Sequence, residues 1–294
     1  MKKINSLTRD FMLIAEKAVS YFAFIITVLS LGVTITKYEI KLETPCLLIV
    51  YALLFVIALF IAGIKYFLKR ENTVYEKGSK SINIIYGDLF EIAFQKDGNK
   101  GIVVVPVNTA FDTIVDEKIS NVDKPLVSPK TLHGQWITKM LGYGFTMEEL
   151  DERINRDLSE RHICPIQVLT REQKKRGNTK CFERGTVSVV EHKYTTFFLF
   201  AMSVFDANNN AQCSRDEFIE AMQKLLLFCD NNSNGKDIYI PLMGTNLSRA
   251  NMNHEESLQS LVALCKLYEA KIHNKVYIVV YEGDRDKVSI YDAK

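Results

Sequence analysis

Residues 102–112, IVVVPVNTAFD, form the stretch that decides the fold of the larger part of the chain. Residues 102–107 are its strongest apolar run and predict a buried strand, since no charged side chain interrupts them. The turn-like sequence DGNKG precedes this strand at residues 97–101, and polar groups follow it at Asn108 and Asp112. In open α/β sheets, ligands bind outside the carboxyl ends of strands, so the stretch predicts both a central strand and one side of a binding site.

Short apolar runs alternate with helical patterns on both sides of this strand. Further strands are predicted at residues 81–86, 186–190, 196–205, 237–242 and 276–281. Capping boxes predict three helix starts, at Thr146 with Glu149, Ser214 with Glu217, and Asn253 with Glu256. Strands that alternate with helices of this length indicate an α/β fold, a mixed, mostly parallel sheet covered on both faces.

The first 70 residues have a different pattern. No charged residue occurs in residues 18–36 or in residues 44–64, and each stretch is long enough as a helix to cross about 30 Å of hydrocarbon. Residues 37–43 join them, so the two helices must run antiparallel. The predicted organisation is a transmembrane helical hairpin (1–70, with spans at about 18–36 and 44–64), a linker (71–80) and a cytosolic domain (81–294).

The charges that flank the two spans predict their orientation. Basic residues precede the first span at Lys2, Lys3, Arg9 and Lys17, and they follow the second span at Lys65, Lys69 and Arg70. In the connecting loop, Lys37 and Lys41 are offset by Glu39 and Glu43. The positive-inside rule therefore places both termini in the cytoplasm. Because neither span contains Asp, Glu, Lys, Arg or His, a membrane anchor is favoured over a transporter.

The composition argues against several classes of function. Net charge is +2, charged residues make up 24% of the chain, and no basic stripe with interleaved aromatic residues appears, so nucleic acid is not a predicted partner. The six cysteines include no C-x-x-C pair, which suits a reducing compartment and indicates neither a disulfide framework nor a zinc site.

One segment matches part of a calcium-binding loop. Asp206, Asn208, Asn210 and Glu217 match positions 1, 3, 5 and 12 of an EF-hand loop. Position 6 needs the sharp turn that glycine allows, but this chain has Ala211 there, and a predicted strand precedes the loop where an EF hand has a helix. No metal site is therefore predicted.

Two more loops are predicted at the carboxyl ends of strands. In Gly87-Asp88-Leu89, the aspartate can accept a hydrogen bond from an exocyclic amine such as that of adenine, or it can cap the following helix. Residues 241–249, PLMGTNLSR, run from a strand towards a helix start. Backbone N–H groups in such a loop suit a diphosphate, and Arg249 adds positive charge.

A further motif, Leu132-His133-Gly134-Gln135-Trp136, contains a histidine next to a glycine and the single tryptophan of the chain. The pKa of histidine suits proton transfer, although a lone histidine is more often structural. Both interpretations stay open from the residues alone.

Together these loops resemble those of a macro domain, the fold that binds ADP-ribose and its relatives. Gly87-Asp88-Leu89 resembles the family's Gly-Asp-Ile, whose aspartate holds adenine. Residues 107–110 resemble its Val-Asn-Ala-Ala, whose asparagine faces the distal ribose, and residues 241–246 resemble its diphosphate loop. Asn246 replaces the second glycine of that loop. Phe111-Asp112-Thr113 and residues 132–135 stand in place of the family's glycine-rich stretch.

With a membrane hairpin ahead of it, this variant resembles the membrane-anchored macro-domain effectors of bacterial Thoeris anti-phage defence. The resemblance implies a three-layer α/β/α macro-like domain at the bacterial inner membrane. It also implies a ligand derived from ADP-ribose, with or without an attached amino acid, which a TIR-domain enzyme makes from NAD. Binding is expected to cause self-association of the protein and damage to the lipid bilayer.

The main expectation is a receptor without catalysis. One alternative is a membrane-tethered ADP-ribosyl hydrolase in which Asn108, Asp112 and His133 position and activate a water; the other is a module that recruits ADP-ribosylated partners. Hydrolytic macro domains combine the asparagine with a glycine-rich stretch, which this chain lacks. The residues expected to bind the ligand are Asp88, Leu89, Asn108, Asp112, Thr113, His133, Gly134, Gln135, Gly244, Thr245, Asn246, Leu247, Ser248 and Arg249.

Overall fold

The computed structural model describes residues 6–36, 44–95, 101–116, 126–205, 211–245 and 252–293. The chain divides into two compact units, an N-terminal unit of Met1–Arg70 and a C-terminal unit of Glu71–Lys294.

The N-terminal unit consists of two helices, α1 (Ser6–Thr36) and α2 (Thr44–Leu68). The helices pack against each other, and the rings of Phe22 and Phe55 meet edge to face at 5.5 Å. Both are candidate membrane spans by length and composition, with mean hydropathy of 1.8 over Asp10–Leu31 and 3.0 over Pro45–Leu68. Large apolar side chains point outwards: Phe60, for example, is 70% exposed. Surfaces of this kind are typical of helices that meet lipid or another protein.

The C-terminal unit contains all the strands of the described chain. They are β1 (Glu71–Lys77), β2 (Lys80–Tyr86), β3 (Ile102–Asn108), β4 (Gln167–Val168), β5 (Lys180–Cys181), β6 (Val187–His192), β7 (Thr195–Phe205), β8 (Ala211–Gln212), β9 (Ile238–Pro241) and β10 (Lys275–Val280). The five strands predicted around residues 102–107 correspond to β2, β6, β7, β9 and β10, so these predictions are confirmed.

The predicted linker at residues 71–80 is wrong. Residues Glu71–Lys77 form β1, which pairs antiparallel with β2 from Glu71 opposite Ile85 to Lys77 opposite Lys80. The segment is polar because it is an edge strand with much of its surface exposed, and charged edges protect a sheet from pairing with other chains. Polar composition alone therefore does not separate an edge strand from a linker.

The main sheet has the order β1-β2-β10-β9-β3-β7-β6, with β8 paired to β7. Its central strands β2, β10, β9, β3 and β7 run parallel, while β1 and β6 at the edges are antiparallel to their neighbours. The predicted mixed, mostly parallel sheet is confirmed. Strand β3 lies deep in it, and residues Ile102, Val103, Val104 and Val105 are wholly buried.

Helices cover both faces of the sheet, giving three layers. On one face, Val104 and Phe198 belong to a core closed by α6 (Arg215–Asn232) and α7 (His254–Leu267). On the other face, Val103 and Phe197 pack in a core with α3 (Leu89–Ala93), α4 (Leu132–Gly142) and α5 (Met147–Glu160). Capping boxes at Thr146, Ser214 and Asn253 start α5, α6 and α7, as the sequence predicts.

Candidate ligand-binding site

The three predicted loops leave the sheet at the same edge, because β2, β3 and β9 are parallel. Gly87 N donates to Val280 O at 3.0 Å, and Leu242 N donates to Val279 O at 2.8 Å, so the loops after β2 and β9 both begin against the end of β10. In the order β2-β10-β9-β3, strands about 4.8 Å apart place the starts of the three loops along a row of roughly 14 Å.

Asp88 follows β2 and caps α3. Its Oδ1 accepts hydrogen bonds from Phe90 N at 2.7 Å and from Glu91 N at 3.1 Å. The capping interpretation is therefore correct for this oxygen. Asp88 is only half-buried, and within the described ranges no hydrogen bond to Oδ2 is found, so the second oxygen can accept from a ligand. Leu89 points into the core with Phe90.

Asn108 and Asp112 form a closed, buried pair at the end of β3. Asn108 Nδ2 donates to Asp112 Oδ2 at 2.9 Å, and Asp112 N donates to Asn108 Oδ1 at 3.0 Å. Only 2% of Asn108 is exposed, and Asp112 is wholly buried. Phe111 lies between them with a φ of 52°, a left-handed conformation that a bulky residue adopts only where its surroundings hold it.

A segment distant in sequence closes over this pair. We call it the strap, residues 169–179, whose ends are joined by a hydrogen bond from Leu169 N to Thr179 O at 2.9 Å. Lys174 Nζ binds Asp112 Oδ1 at 2.9 Å and Oδ2 at 2.7 Å, and Asn178 N donates to Oδ1 at 2.7 Å. Gly177, with a φ of 74°, lies so close that a Cβ there would be 2.2 Å from Asp112 Oδ1.

The carboxylate of Asp112 is consequently satisfied within the protein. It accepts bonds from the ammonium of Lys174, the amide of Asn108 and the backbone of Asn178, and the Lys174 side chain is itself only 15% exposed. A buried carboxylate is stable only when it is paired and hydrogen-bonded, and these three groups supply both. The arrangement is that of a structural ion pair that fixes the loop after β3.

Thr113 extends the same network to α5. Its Oγ1 donates to Asp151 Oδ1 at 3.0 Å, and Asn178 Nδ2 donates to the same oxygen at 2.9 Å. Burial raises the pKa of the Asp151 carboxyl, an effect that the bonds from Asn178 and Thr113 oppose. Thr113, like Asp112, is thus engaged in holding the protein together.

His133 lies in the first turn of α4 and reaches the backbone of Asp112. Burial lowers the pKa of its imidazole to about 3, against a smaller opposite effect of the hydrogen bond to the Asp112 backbone. The ring is therefore neutral at physiological pH and a poor acceptor of a proton. Of the two interpretations of this histidine, the geometry favours the structural one.

The two residues after His133 serve the start of α4. Thr131 caps the helix by accepting from Gly134 N at 3.1 Å. A Cβ on Gly134 would lie 2.2 Å from Ser128 O, so only glycine fits. Gln135 is half-buried, and its Nε2 donates to Lys130 O at 3.3 Å.

The loop after β9 depends on backbone conformation. Gly244 has a φ of 97°, and a Cβ there would come within 2.7 Å of the Met252 side chain and 3.1 Å of the Phe218 ring. Ser257 in α7 donates a hydrogen bond to Met243 O, which ties the start of this loop to the helix. Thr245 is half-buried at the end of the described part of the loop. Four predicted residues, Asn246, Leu247, Ser248 and Arg249, lie outside the described residues.

Within the described part of the chain, no group of three or more histidine, cysteine or acidic side chains is placed to hold a metal ion. Asp206, Asn208 and Asn210 lie outside that part. Glu217 is engaged as a capping residue, because its Oε2 accepts from Ser214 N at 2.6 Å and also pairs with Arg184.

The structure thus brings Asn108, Asp112, Thr113 and His133 into one buried cluster, and it places the Asp88 and Gly244 loops farther along the same edge. Sequence reasoning missed Lys174, Gly177 and Asn178. The demand of a buried Asp112 for a cation was a signal that such a partner exists, but spacing could not show which lysine or arginine provides it.

The chain has known relatives. Residues 82–281 match the family described as "Thoeris protein ThsA, Macro domain". Thoeris protein ThsA of Bacillus amyloliquefaciens (strain Y2) is 26% identical over 262 residues, which cover 87% of this chain and 81% of that protein.

Solved structures give weaker likenesses. The Oceanobacillus iheyensis macrodomain with ADP is 11% identical with a TM-score of 0.44, over 76% of this chain and 94% of that one. The Trypanosoma brucei macrodomain in complex with ADP-ribose is 11% identical with a TM-score of 0.37, over 72% of this chain and 67% of that one.

Proposed function

The chain belongs to the ThsA macro-domain family of Thoeris proteins, and from this premise we propose that it is a membrane-bound receptor for an ADP-ribose-derived nucleotide in anti-phage defence. The observation that carries the proposal is the row of loops after β2, β9 and β3 at one edge of the sheet. An elongated nucleotide fits a row of roughly 14 Å better than a compact substrate would.

Each loop supplies a different chemical group to such a ligand. The free oxygen of Asp88 accepts from the exocyclic amine of adenine. The backbone around Gly244 and Thr245 turns N–H groups towards a diphosphate near the start of α7, where the helix dipole favours negative charge. The distal ribose then lies at the end of β3. A hydroxyl that reaches Asn108 can bond to its second Nδ2–H or to a remaining lone pair of Oδ1, or it can replace one of the bonds to Asp112.

The cluster at the end of β3 favours binding over hydrolysis. A hydrolase needs a group that takes a proton from water, and Asp112 and His133 are the candidates there. Asp112 is wholly buried and bonded to Lys174, while the pKa of His133 is about 3. Neither group is placed to activate a water, so we propose that the protein recognises its ligand without cleaving it.

The N-terminal unit gives the receptor its place of action. We place α1 and α2 in the bacterial inner membrane with both chain termini in the cytoplasm, because basic residues flank the hairpin at its outer ends. A TIR-domain enzyme supplies the signal. Ligand binding then drives self-association and disrupts the membrane, which requires the ligand to bind the assembled state more tightly than the separate chains.

The test is calorimetric titration of the full-length protein in detergent with ADP-ribose and with amino-acid-conjugated ADP-ribose, followed by chemical analysis of the recovered ligand. We expect tight binding and recovery of the intact compound. Recovery of ADP-ribose cleaved from its conjugate would make the protein a hydrolase, and the absence of binding to every compound would overturn the proposal.

A matched pair of glycine variants locates the site. Gly244→Ala and Gly78→Ala both place alanine at a positive φ, 97° and 65°, but at Gly244 the added Cβ also presses on Met252 and Phe218. Thermal unfolding of both variants is therefore measured beside affinity, so that a loss of folding is separated from a loss of binding. Only Gly244 lies in the proposed diphosphate loop, since Gly78 is in the turn between β1 and β2 with open space around it. We expect Gly244→Ala to weaken binding by about tenfold or more and Gly78→Ala to leave it unchanged, as the loss of one charge-assisted contact predicts. Equal affinities in the two variants would mean that the diphosphate lies elsewhere.

A further inference from the structure

The segment after β10, residues 281–293, follows an irregular path, yet much of it is buried. Apart from a short 3-10 helix at Glu282–Asp284 it contains no helix or strand, while Val288, Ile290 and Ala293 are in the core. We call it the C-terminal segment. An irregular stretch that is buried must satisfy its backbone groups through specific partners, and these partners are informative.

The first partner is the end of β2. The hydroxyl of Tyr86 donates to Val288 O at 3.2 Å and accepts from Ile290 N at 3.1 Å. The guanidinium of Arg285 lies over the ring of the same tyrosine, 4.4 Å from its centre. Tyr86 immediately precedes Gly87 and Asp88, so the C-terminal segment is attached at the root of the loop proposed to hold adenine.

The second partner is α7, the helix that follows the Gly244 loop. His254, its first residue, has Nε2 3.8 Å from Asp284 Oδ2. One turn further on, Gln259 Nε2 donates to Asp292 O at 3.1 Å. The C-terminal segment therefore also contacts the helix whose start we assign to the diphosphate.

The third partner is β1, the first element after α2. Asn72 Nδ2 donates to Ile290 O at 3.0 Å. Ile290 thus bonds through its N–H to Tyr86 and through its carbonyl to Asn72. In the pairing of β1 with β2, Glu71 lies opposite Ile85. The Asn72 contact is therefore near the carboxyl end of β2, on the side of the sheet where the candidate site lies. Helix α2 ends at Leu68, so Asn72 is separated from the hairpin by only a few residues of continuous chain.

We propose that the C-terminal segment couples the nucleotide site to the membrane hairpin, with Asn72, Tyr86 and Ile290 as the positioning contacts. The inference rests on the proposed function, because it names the route by which occupation of that site reaches α2. A ligand that shifts the Asp88 loop or the start of α7 shifts the segment bonded to both, and through Asn72 the segment acts on the strand that continues from α2. Coupling of this kind requires two arrangements of the segment that the ligand distinguishes.

The test separates binding from response in the full-length protein. Wild type, Asn72→Ala and Tyr86→Phe are reconstituted in vesicles of phosphatidylethanolamine and phosphatidylglycerol that contain a self-quenching dye. ADP-ribose and ADP-ribosylated amino acids are the probes, dye release is the response, and calorimetry in detergent gives the dissociation constant. Tyr86→Phe keeps the buried ring and removes only the hydroxyl, which limits the damage to folding.

The matched control is Tyr75, which lies farther along β1 from Asn72. Tyr75 donates a hydrogen bond to Glu269, which is not part of the C-terminal segment, so Tyr75→Phe also removes one side-chain hydrogen bond of β1. We expect Asn72→Ala and Tyr86→Phe to raise the probe concentration for half-maximal dye release by about three- to tenfold, because one or two hydrogen bonds usually contribute that much. The dissociation constant should change by less than about twofold. Tyr75→Phe should behave as wild type.

Each other outcome overturns the inference and identifies its cause. Variants that release dye as wild type does would show that the segment carries no coupling. An equal loss of response in Tyr75→Phe would make stability of β1 the cause. Variants with weakened binding and an equally weakened response would make the segment part of the site. If wild type binds no probe, the proposed function itself fails and the inference fails with it.

Discussion

At the end of β3 the candidate site is built from charged and amide side chains, whereas at the end of β9 it is built from a glycine and backbone groups. At the first end the carboxylate of Asp112 is fully engaged, because Lys174, Asn108 and the backbone of Asn178 all donate to it. The second turns at Gly244, which has a φ of 97° and leaves no room for a Cβ beside Met252 and Phe218. Polar side chains thus fix the loop after β3, whereas the loop after β9 depends on the backbone conformation of one glycine.

Removal of the Asp112 carboxylate at the end of β3 is the change expected to destabilise the protein most. Asp112→Ala leaves the ammonium of Lys174 buried without its partner, so we expect the free energy of unfolding to fall by about 3–5 kcal/mol. Urea denaturation in mild detergent measures it through the fluorescence of Trp136, the single tryptophan of the chain and a fully buried residue of the C-terminal unit.

The control for this variant is Glu220→Ala. Glu220 pairs with Lys224 at 3.1 Å on the surface, and exposed pairs of this kind contribute about 0.5 kcal/mol or less. A loss at Asp112 as small as that at Glu220 would mean that the carboxylate is free for a ligand or a water, which would revive the hydrolase alternative.

The pH dependence of the free energy of unfolding tests whether His133 is buried and neutral at the end of β3. Its pKa in the folded protein is about 3 against 6.5 for the free side chain, so between these values the unfolded chain binds a proton that the folded chain does not. Stability is therefore lost as pH falls below about 6.5. Between pH 7 and pH 5 the wild type should lose about 2 kcal/mol more of its free energy of unfolding than His133→Gln does. Equal losses would indicate that the ring is protonated in the folded protein, and so available for proton transfer.

A smaller loss of stability is expected at Thr113, and measured together with affinity it shows whether this residue is structural or binds the ligand. Thr113→Val removes the hydrogen bond to Asp151 and should lower the free energy of unfolding by about 1 kcal/mol, with no change in affinity for ADP-ribose. Thr138→Val is the control, since Thr138 Oγ1 bonds to Gly134 O within α4 on an exposed face, and its loss should cost less than about 0.5 kcal/mol. Weaker binding in Thr113→Val alone would assign Thr113 to the ligand.

The fold could be predicted where the signal is local. The apolar run at residues 102–107 indicates a buried strand, and β3 is buried because it has β7 on one side and β9 on the other. The three capping boxes mark helix starts because both partners of each box lie within one turn. The same logic failed at residues 71–80, because an edge strand shares its polarity with loops.

The candidate site was predictable only in part. The ends of parallel strands place Asp88, Asn108 and Gly244 at one edge, and this follows from the fold alone. The role of each side chain does not, because it depends on contacts across long stretches of sequence. Lys174 reaches Asp112 from 62 residues away, and no periodicity or spacing connects the two. The sequence therefore predicts Asp112 as a ligand-binding residue, and the structure adds its bonds to the strap, which no sequence pattern indicates.

The place of β10 in the sheet determines when the sheet can be completed during synthesis. Strand β10 lies between β2 and β9, with Val276 opposite both Ile82 and Ile238. At usual rates of synthesis, roughly 10–40 s pass between the appearance of β2 and that of β10. Throughout that interval the apolar helices α1 and α2 have already emerged, while the sheet lacks a middle strand. Helices α1 and α2 are therefore complete well before the sheet of the C-terminal unit can close around β10.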